Sequence, residues 1–272
     1  MSLKPYACAN CGFWQRWFDV PPACPVCTDV RNALPPDGWD FVPVEAMAER
    51  VSCSWVEHDG DLLEFRTSPR FGLDSVGWLL LRSDGNVAFE AAGWYSDEAL
   101  DEIDRRGGIS MLSSSHPHGY GALWQLQDRF DAPLAITLAD HGWTKALHVQ
   151  RPYDDVLAIR PDLVLHRTGG HFDGHAVLHD ATNRRLFAGD AVKFDVDGDG
   201  RAVAVSCHQA WHQRTPLTHN ELRRYREVIA PLDFDTVCSP FGLARGARTT
   251  NVVALFDDQL AAVPTVEPME VS

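Results

Sequence analysis

The sequence ISMLSSSHPHGYG, residues 109–121, places two histidines shortly after an apolar segment. Residues 109–112 are typical of a short buried strand, and His116 and His118 follow on either side of Pro117. Side chains two positions apart in extended backbone point to the same face, so both imidazoles can reach one ion. The stretch therefore predicts half of a metal site near the end of a strand.

Two later motifs supply the other ligands of such a site. His171 stands in TGGHFDGH, residues 168–175, where glycines allow a turn that presents the imidazole. Asp190 follows the apolar part of RLFAGDAV, residues 185–192. Three imidazoles and one carboxylate are suitable ligands for zinc or iron. We therefore predict that one ion, zinc or iron, is bound by the three histidines and Asp190.

Four cysteines near the N-terminus form two Cys-x-x-Cys pairs, Cys8 with Cys11 and Cys24 with Cys27. A two-residue spacing lets both sulfurs of a tight turn point at one ion, and two such turns make a tetrahedral cage for zinc or a single iron. Residues 1–35 are therefore predicted to form a small module held by metal, because so short a segment buries too little surface to fold unaided. Two redox pairs or four free thiols are the alternative interpretation.

The remaining three of the seven cysteines, Cys53, Cys207 and Cys238, are expected to be ordinary thiols. The N-terminal residues lack the apolar segment of a signal peptide, and the cysteine pattern is unlike that of a secreted disulfide scaffold. A reduced, cytoplasmic chain is the expectation.

Length and charge narrow the classes of protein further. The chain has 272 residues, of which 45% are hydrophobic, enough for one large domain predicted over residues 36–262. A Pro/Gly/Asp-rich linker at 34–40 precedes it, and residues 263–272 are predicted to be a flexible tail. The 24 Lys and Arg against 38 Asp and Glu give a formal net charge of −14, which argues against a nucleic-acid partner. No apolar run approaches the roughly 18 residues of a membrane span, so no membrane partner is expected.

Predicted strands alternate with helices, but hairpins also occur. The segment 75–92 is typical of a hairpin with an Asp-Gly turn, and residues 96–106 are typical of a capped helix. This mixture predicts an α+β sandwich rather than a doubly wound parallel sheet.

In this order, the histidine and aspartate motifs resemble the metallo-beta-lactamase fold superfamily, whose pattern is H-x-H-x-D-H, then P-G-H-T-x-G-H, then a strand ending in G-D, then a last His. The resemblance covers most of residues 75–250 and matches His116, His118, His171 and Asp190 to the family's ligands. It implies a four-layer αβ/βα sandwich with a metal site at one edge, and a metal-dependent hydrolase activity.

The departures from the family pattern concern the second metal. Tyr120 and Gly121 stand where the family has Asp-His, Phe241 stands near the place of the last His, and Phe172 replaces the Thr after the turn His. The resemblance therefore implies a mononuclear site. Four further histidines are candidates for rebuilding a second site: His141, His175, His208 and His212.

The N-terminal motifs YACANCGF, residues 6–13, and ACPVC, residues 23–27, resemble the short-spaced rubredoxin-like domain of rubrerythrins. Related sites hold iron for electron transfer, while zinc ribbons of similar spacing are structural. The sequence leaves both an iron centre and a structural zinc site as interpretations. Aromatic residues around Trp14 and Trp17 are expected to form a mini-core or a docking face, which allows a protein partner or self-association through this module.

Three functions remain. The first is a mononuclear metallohydrolase that activates water for attack on a small ester, thioester or amide of unknown identity, with Asp190 either ligating the ion or holding the water. Tyr120 either donates to an oxyanion or fills the space of the second metal. The second is a non-catalytic, degenerate binding protein of the same fold. The third is a redox protein that uses a rubredoxin-like iron centre.

Overall fold

The computed structural model describes residues 2–29, 32, 34–207 and 217–261. Its N-terminal part is a three-stranded antiparallel sheet of β1 (Lys4–Cys8), β2 (Trp14–Trp17) and β3 (Phe41–Pro43), in the order β2-β1-β3. The chain thus returns to the four-cysteine segment after the predicted linker, since Ala7 of β1 pairs with Val42 of β3. The domain boundary at residue 35 stays a prediction, and the tail at 263–272 lies outside the described residues.

The first large sheet follows helix α1 (Val44–Arg50) and has six strands in chain order. They are β4 (Ser52–His58), β5 (Leu62–Ser68), β6 (Gly77–Leu80), β7 (Val87–Phe89), β8 (Met111–Ser113) and β9 (Leu134–Ala135). The pairs from β4 to β7 are antiparallel, while β7 with β8 and β8 with β9 are parallel. The parallel pairs are joined by helices α2 (Asp97–Arg105) and α3 (Leu123–Phe130), as parallel crossovers require.

The second large sheet is formed by the C-terminal half. Its strands are β10 (Val156–Arg160), β11 (Leu163–Arg167), β12 (Ala176–Asp180), β13 (Arg185–Phe187), β16 (Thr236–Ser239) and β17 (Gly242–Arg245), in that order across the sheet. A separate hairpin of β14 (Val192–Val196) and β15 (Ala202–Cys207) precedes β16, and helices α4 (His219–Ile229) and α5 (Thr249–Ala261) complete this half. Strands β13 and β16 run parallel.

Alternation along the strands divides the apolar side chains into three buried clusters. Trp78, Phe89 and Phe187 belong to the cluster between the two sheets. Their neighbours Leu79 and Ala88 join the cluster under α2 and α3, whereas Leu186 joins the cluster under α4 and α5. Successive side chains of a strand point to opposite faces, so three clusters mean four layers. The predicted αβ/βα sandwich is confirmed.

None of the helices in the described part of the chain is long and apolar enough to cross a membrane. Two adjacent aspartates, Asp257 and Asp258, interrupt even the longest helix, α5, whose sequence is TTNVVALFDDQLA.

Candidate metal centre

Four side chains meet at one edge of the sandwich: His116, His118, His171 and Asp190, whose ligand atoms all lie within 4.8 Å of one another. From Asp190 Oδ2 the distances are 3.2 Å to His116 Nε2, 3.5 Å to His118 Nδ1 and 3.7 Å to His171 Nε2. His171 Nε2 lies 3.3 Å from His118 Nδ1. Donors about 2.0–2.1 Å from a tetrahedral zinc ion would lie about 3.4 Å apart, so the donor set fits such an ion.

The fold brings these residues together because each follows the end of a strand or stands in a loop at the same edge, which we call the metal edge. His116 lies three residues after β8, and His118 lies in a 3-10 turn, Pro117–Tyr120. His171 lies in the loop between β11 and β12, and Asp190 lies three residues after β13. One sheet thus supplies two imidazoles and the other sheet supplies an imidazole and a carboxylate.

The charges at the centre suit a cation. Burial opposes ionisation of Asp190, but the neighbouring imidazoles, His116 first, hold the pKa of this carboxyl well below its ordinary value. Burial, with further lowering by His116 and His118, puts the pKa of His171 well below its ordinary value. A neutral imidazole and an ionised carboxylate are the forms that ligate a metal ion.

Behind His116, two polar groups that the sequence analysis did not assign form a support. The Ser115 hydroxyl contacts Glu90 Oε1 and lies 2.7 Å from His116 Nδ1. Burial and the nearby Asp190 raise the pKa of Glu90 to about 8, against the lowering contact from Ser115. Glu90 has a φ of 59°, at the turn that follows β7. The sequence signal that could have revealed Glu90 is an acidic residue directly after the apolar strand β7.

Gly121 explains one departure from the family pattern. Its φ is +40°, and a Cβ at this position would lie 2.3 Å from the carbonyl oxygen of Ala91. A histidine here would therefore collide with the backbone of the turn after β7, because any side chain begins with that Cβ. The place of the family's second-metal histidine is closed by backbone.

Phe172 takes the place of the family's threonine as an apolar cover over the imidazoles. Its ring centroid lies 5.5 Å from that of His116, 5.1 Å from His118 and 5.2 Å from His171. Trp143 packs edge-on against it at 5.6 Å. Phe172 is fully buried, so it shields one side of the centre from water.

Tyr120 is also buried, and its environment differs from that of the cluster. Burial, then the carboxylate of Asp140 and the hydroxyl of Tyr153, raise the pKa of Tyr120 well above its ordinary value. Within the described residues its hydroxyl has no hydrogen-bond partner. Its role as an oxyanion donor stays a prediction.

Two of the four histidines considered for a second site, His141 and His175, lie in the described part of the chain. His175 is buried, with its Nδ1 2.8 Å from both Thr168 Oγ1 and Tyr225 Oη, and its ring 5.1 Å from that of His116. His141 is exposed in the 3-10 turn Leu138–Trp143. His208 and His212 lie outside the described residues. Within residues 2–29, 32, 34–207 and 217–261, the side chains that lie close enough together to hold a metal ion form two groups, the four-residue centre and the four-cysteine cluster. No second group of histidines and carboxylates is found in that part of the chain.

The four N-terminal cysteines form the second candidate metal site. The distances are 3.8 Å between the sulfurs of Cys8 and Cys27 and 3.6 Å between those of Cys11 and Cys24. All four are buried, and Asn10 Nδ2 lies 3.3 Å from Cys27 Sγ. Sulfurs about 2.3 Å from a tetrahedral zinc ion would lie about 3.8 Å apart, so this donor set also fits one ion.

The four-cysteine module packs directly on the metal edge. Leu73 N donates to Cys11 O at 3.3 Å, in the loop between β5 and β6. Trp14 Nε1 donates to Gly93 O at 3.0 Å, three residues after Glu90. The Trp14 ring also packs against Trp94 and Trp124, with centroids 5.9 and 5.2 Å away. The expected aromatic mini-core is thus shared with the large domain, while Trp17 is 45% exposed.

Comparison with solved structures shows which fold the chain has. A metallo-beta-lactamase from Pontibacter korlensis has a TM-score of 0.54 and 14% identity, covering 76% of this chain and 100% of its own. VMB-1 has a TM-score of 0.57 and 12% identity, covering 77% and 99%. A metallo-beta-lactamase from Hirschia baltica has a TM-score of 0.54 and 13% identity, covering 75% and 98%. The chain has the metallo-beta-lactamase fold, with a four-cysteine cluster added at its N-terminus.

A relative in sequence is YmaE of Bacillus subtilis (strain 168), which is described as an uncharacterized protein. It is 27% identical over 245 residues, which are 87% of this chain and 88% of YmaE. No protein-family profile matches the chain. The similarity to YmaE spans nearly the whole of both chains, so it includes most of the large domain.

Proposed function

We propose that this protein is a mononuclear metallohydrolase acting on a small ester, thioester or amide. The observation that carries the proposal is the convergence of three imidazoles and one carboxylate at tetrahedral spacing. The lack of second-metal ligands at Tyr120, Gly121 and Phe241 supports a single ion. A metal ion bound there supplies Lewis acidity and a water of lowered pKa.

The side chains at the His/Asp centre have different roles in this proposed reaction. The three imidazoles would hold the ion, and Ser115 contacts His116 from behind and fixes its orientation. Asp190 is kept ionised by its histidine neighbours and is the carboxylate suited to orient an attacking water or to complete the ligand set. Phe172 excludes water from the buried side of the imidazoles.

We also propose that the four-cysteine module carries its own ion, zinc or iron, with a structural role. The shared packing of Trp14 with Trp94 and Trp124 supports a structural role. Exposure of Phe18 and Val20, at 60% and 59%, supports a protein contact or self-association through this module.

Elemental analysis combined with an absorption spectrum tests both sites, using protein purified without added metal. We expect two ions per chain, and His116→Ala should remove one of them while leaving the thiolate-bound ion. A panel of chromogenic esters and thioesters should be hydrolysed by the wild type and not by His116→Ala. An unchanged metal content in this variant would refute the ligand assignment.

The loss of the second-metal residues favours one competing function, a binding protein without catalysis. In that case the main domain would contain no ion, and no member of the panel would be turned over. A red iron–thiolate absorption in protein lacking hydrolase activity would instead point to the redox function.

A further inference from the structure

A series of contacts joins the four-cysteine module to the His/Asp centre. Its first step links the first cysteine turn, residues 8–13, to the loop between β5 and β6. Leu73 N donates to Cys11 O at 3.3 Å. A Cβ on Gly72 would lie 2.3 Å from Gly12 N, which is too close for any side chain. The backbones of the cysteine turn and of this loop are therefore in direct contact.

The second step reaches the turn after β7, residues 90–93, which we call the β7 turn. Phe71 lies between Gly12 and Gly93, since a Cβ on either glycine would be 3.9 Å and 3.8 Å, respectively, from Phe71 Cδ1. The buried Trp14 of the module donates from Nε1 to Gly93 O at 3.0 Å. The module thus supports the β7 turn through a hydrogen bond and through a ring packed between them.

The third step connects the β7 turn to the segment that carries the first two histidines. Ala91 N donates to Gly119 O at 3.0 Å, and Ala122 N donates to Ala92 O at 2.8 Å. His118 lies just before these contacts, in the 3-10 turn Pro117–Tyr120. Glu90, the first residue of the β7 turn, contacts the serine behind His116. A displacement of the β7 turn would therefore move both imidazoles.

A second series of contacts starts from the same strand of the module, β2. Arg16 N donates to Lys145 O at 3.1 Å, and Arg16 Nε donates to Ala146 O at 3.3 Å. Lys145 N donates to Trp143 O at 2.8 Å, and the Trp143 ring packs on Phe172, the apolar cover over the imidazoles. Strand β2 therefore supports both the histidine segment and its cover.

These supports depend on the fold of the module, and that fold depends on its cysteines. A segment so short buries too little surface to fold unaided, so an ion bound by the four cysteines would supply much of its stability. Without that ion, Trp14 and Arg16 would be released from Gly93 and Lys145. Ligands that lose their outer support bind a metal ion more weakly, because their orientation is no longer fixed.

We propose that the four-cysteine module positions His116 and His118, so that an ion at the cysteines strengthens ion binding at the His/Asp centre. The inference rests on the two metal sites proposed above and does not require hydrolysis. Coupling between two sites typically amounts to about 5- to 150-fold in affinity, and it is reciprocal. An ion at the His/Asp centre therefore strengthens ion binding at the cysteines by the same factor.

The test measures the Zn²⁺ affinity of the His/Asp centre in the full chain by competition with a chromogenic chelator. The binding step that His116→Ala abolishes identifies this centre. Cys24→Ser with Cys27→Ser removes two thiolates of the module and leaves every ligand of the centre in place. We expect the Kd for Zn²⁺ at the centre to rise about 10- to 100-fold. An unchanged Kd would overturn the proposal.

The matched control lowers the stability of the chain at a distance from the module. Arg82 lies in the loop before β7, at the sheet edge opposite the β7 turn, and its Nη2 is 2.7 Å from Asp180 Oδ1. Arg82→Met should therefore destabilise the protein without changing the Kd for Zn²⁺ at the centre. An equal loss of affinity in Arg82→Met and in the cysteine variant would reduce the effect to general destabilisation, and the proposal would fail.

A second variant keeps all four cysteines and decides the question if the cysteine variant does not fold, as judged by circular dichroism. Trp14→Phe removes the donor to Gly93 and should raise the Kd for Zn²⁺ at the centre about fivefold or more. Trp17→Phe lies in the same strand at a half-exposed ring and should leave the Kd unchanged. Equal affinities of the two tryptophan variants would show that the module does not position the histidines.

The same measurements separate this inference from the hydrolase function. If the affinities are coupled while no ester or thioester of the panel is hydrolysed, the hydrolase function fails and the positioning role stands. If wild type and cysteine variant hydrolyse the panel and bind Zn²⁺ at the centre with equal Kd, the hydrolase function stands and the positioning role fails.

Discussion

Ser115 Oγ lies 2.7 Å from Nδ1 of His116, while Nε2 of the same ring faces Asp190 Oδ2 at 3.2 Å. With its own proton directed to Glu90, the serine oxygen accepts from Nδ1–H and leaves the lone pair of Nε2 for an ion. Partners of this kind fix the tautomer and the orientation of a ligating histidine. A metal-ligating His116 would need such an orienting partner on the far side of its ring.

Ser115→Ala should therefore weaken metal binding at the His/Asp centre by about 10- to 100-fold, because His116 loses its orienting partner. Competition with a chromogenic chelator measures this affinity. Ser114→Ala is the matched control, since Ser114 Oγ lies 3.5 Å from a backbone oxygen, His116 O, and not at the His116 ring. Equal affinities for the two variants would show that Ser115 has no such role.

The thiols outside the four-cysteine cluster should resist modification in the folded protein. Burial raises the pKa of Cys53 to about 12 and that of Cys207 to about 11. At pH 8 only about one Cys53 thiol in ten thousand is then ionised, against roughly a quarter of ordinary cysteines. A colorimetric thiol assay should detect neither Cys53 nor Cys207 in the folded protein. In guanidinium chloride with a chelator, the same assay should detect all seven cysteines. Rapid labelling of Cys53 in native protein would contradict this.

Loss of the buried ion pair between Arg82 and Asp180 should lower the free energy of unfolding strongly. Arg82 Nη2 lies 2.7 Å from Asp180 Oδ1, and the Asp180 side chain is fully buried. Arg82→Met leaves this carboxylate without its cation, and should lower the free energy of unfolding by about 3–5 kcal/mol in urea denaturation. Arg129→Met, at an exposed pair with Asp104, should cost less than about 1 kcal/mol.

The attachment of the four-cysteine module should depend on Trp14. In Trp14→Phe the Gly93 carbonyl loses its donor in a buried position, which should destabilise the protein by about 1–3 kcal/mol. Release of the thiolate-bound ion to a chelator should also accelerate, because the module is held less firmly. Trp17→Phe, at a half-exposed ring, should change neither quantity.

The sequence was sufficient to predict that the four residues of the His/Asp centre lie close together, because each stands in a short motif near a strand end. The mixture of hairpins with strand–helix alternation predicted an α+β sandwich, and the resemblance to the metallo-beta-lactamase fold superfamily implied its four layers. The histidine and aspartate motifs are local signals, readable from a few neighbouring positions.

Glu90, strand β3 and the contact between Arg66 and Pro240 were not predicted, and they share a physical reason. Glu90 accepts a hydrogen bond from Ser115, which lies 25 positions away in the sequence. Strand β3 is paired with β1, on the other side of the predicted linker. Arg66 meets Pro240 across 174 positions. Such contacts depend on tertiary packing, and no spacing rule in the sequence expresses them.

The close approach of Gly121 to Ala91 has a consequence for redesign. A two-ion site cannot be built in this chain by placing aspartate and histidines at positions 120, 121 and 241 alone, because a Cβ at 121 would lie 2.3 Å from the Ala91 carbonyl oxygen. The turn after β7 would have to withdraw first, and Glu90, Ser115 and His116 are joined to that turn. Making room for a ligand at position 121 would therefore displace His116, so the backbone of this turn opposes a second set of metal ligands.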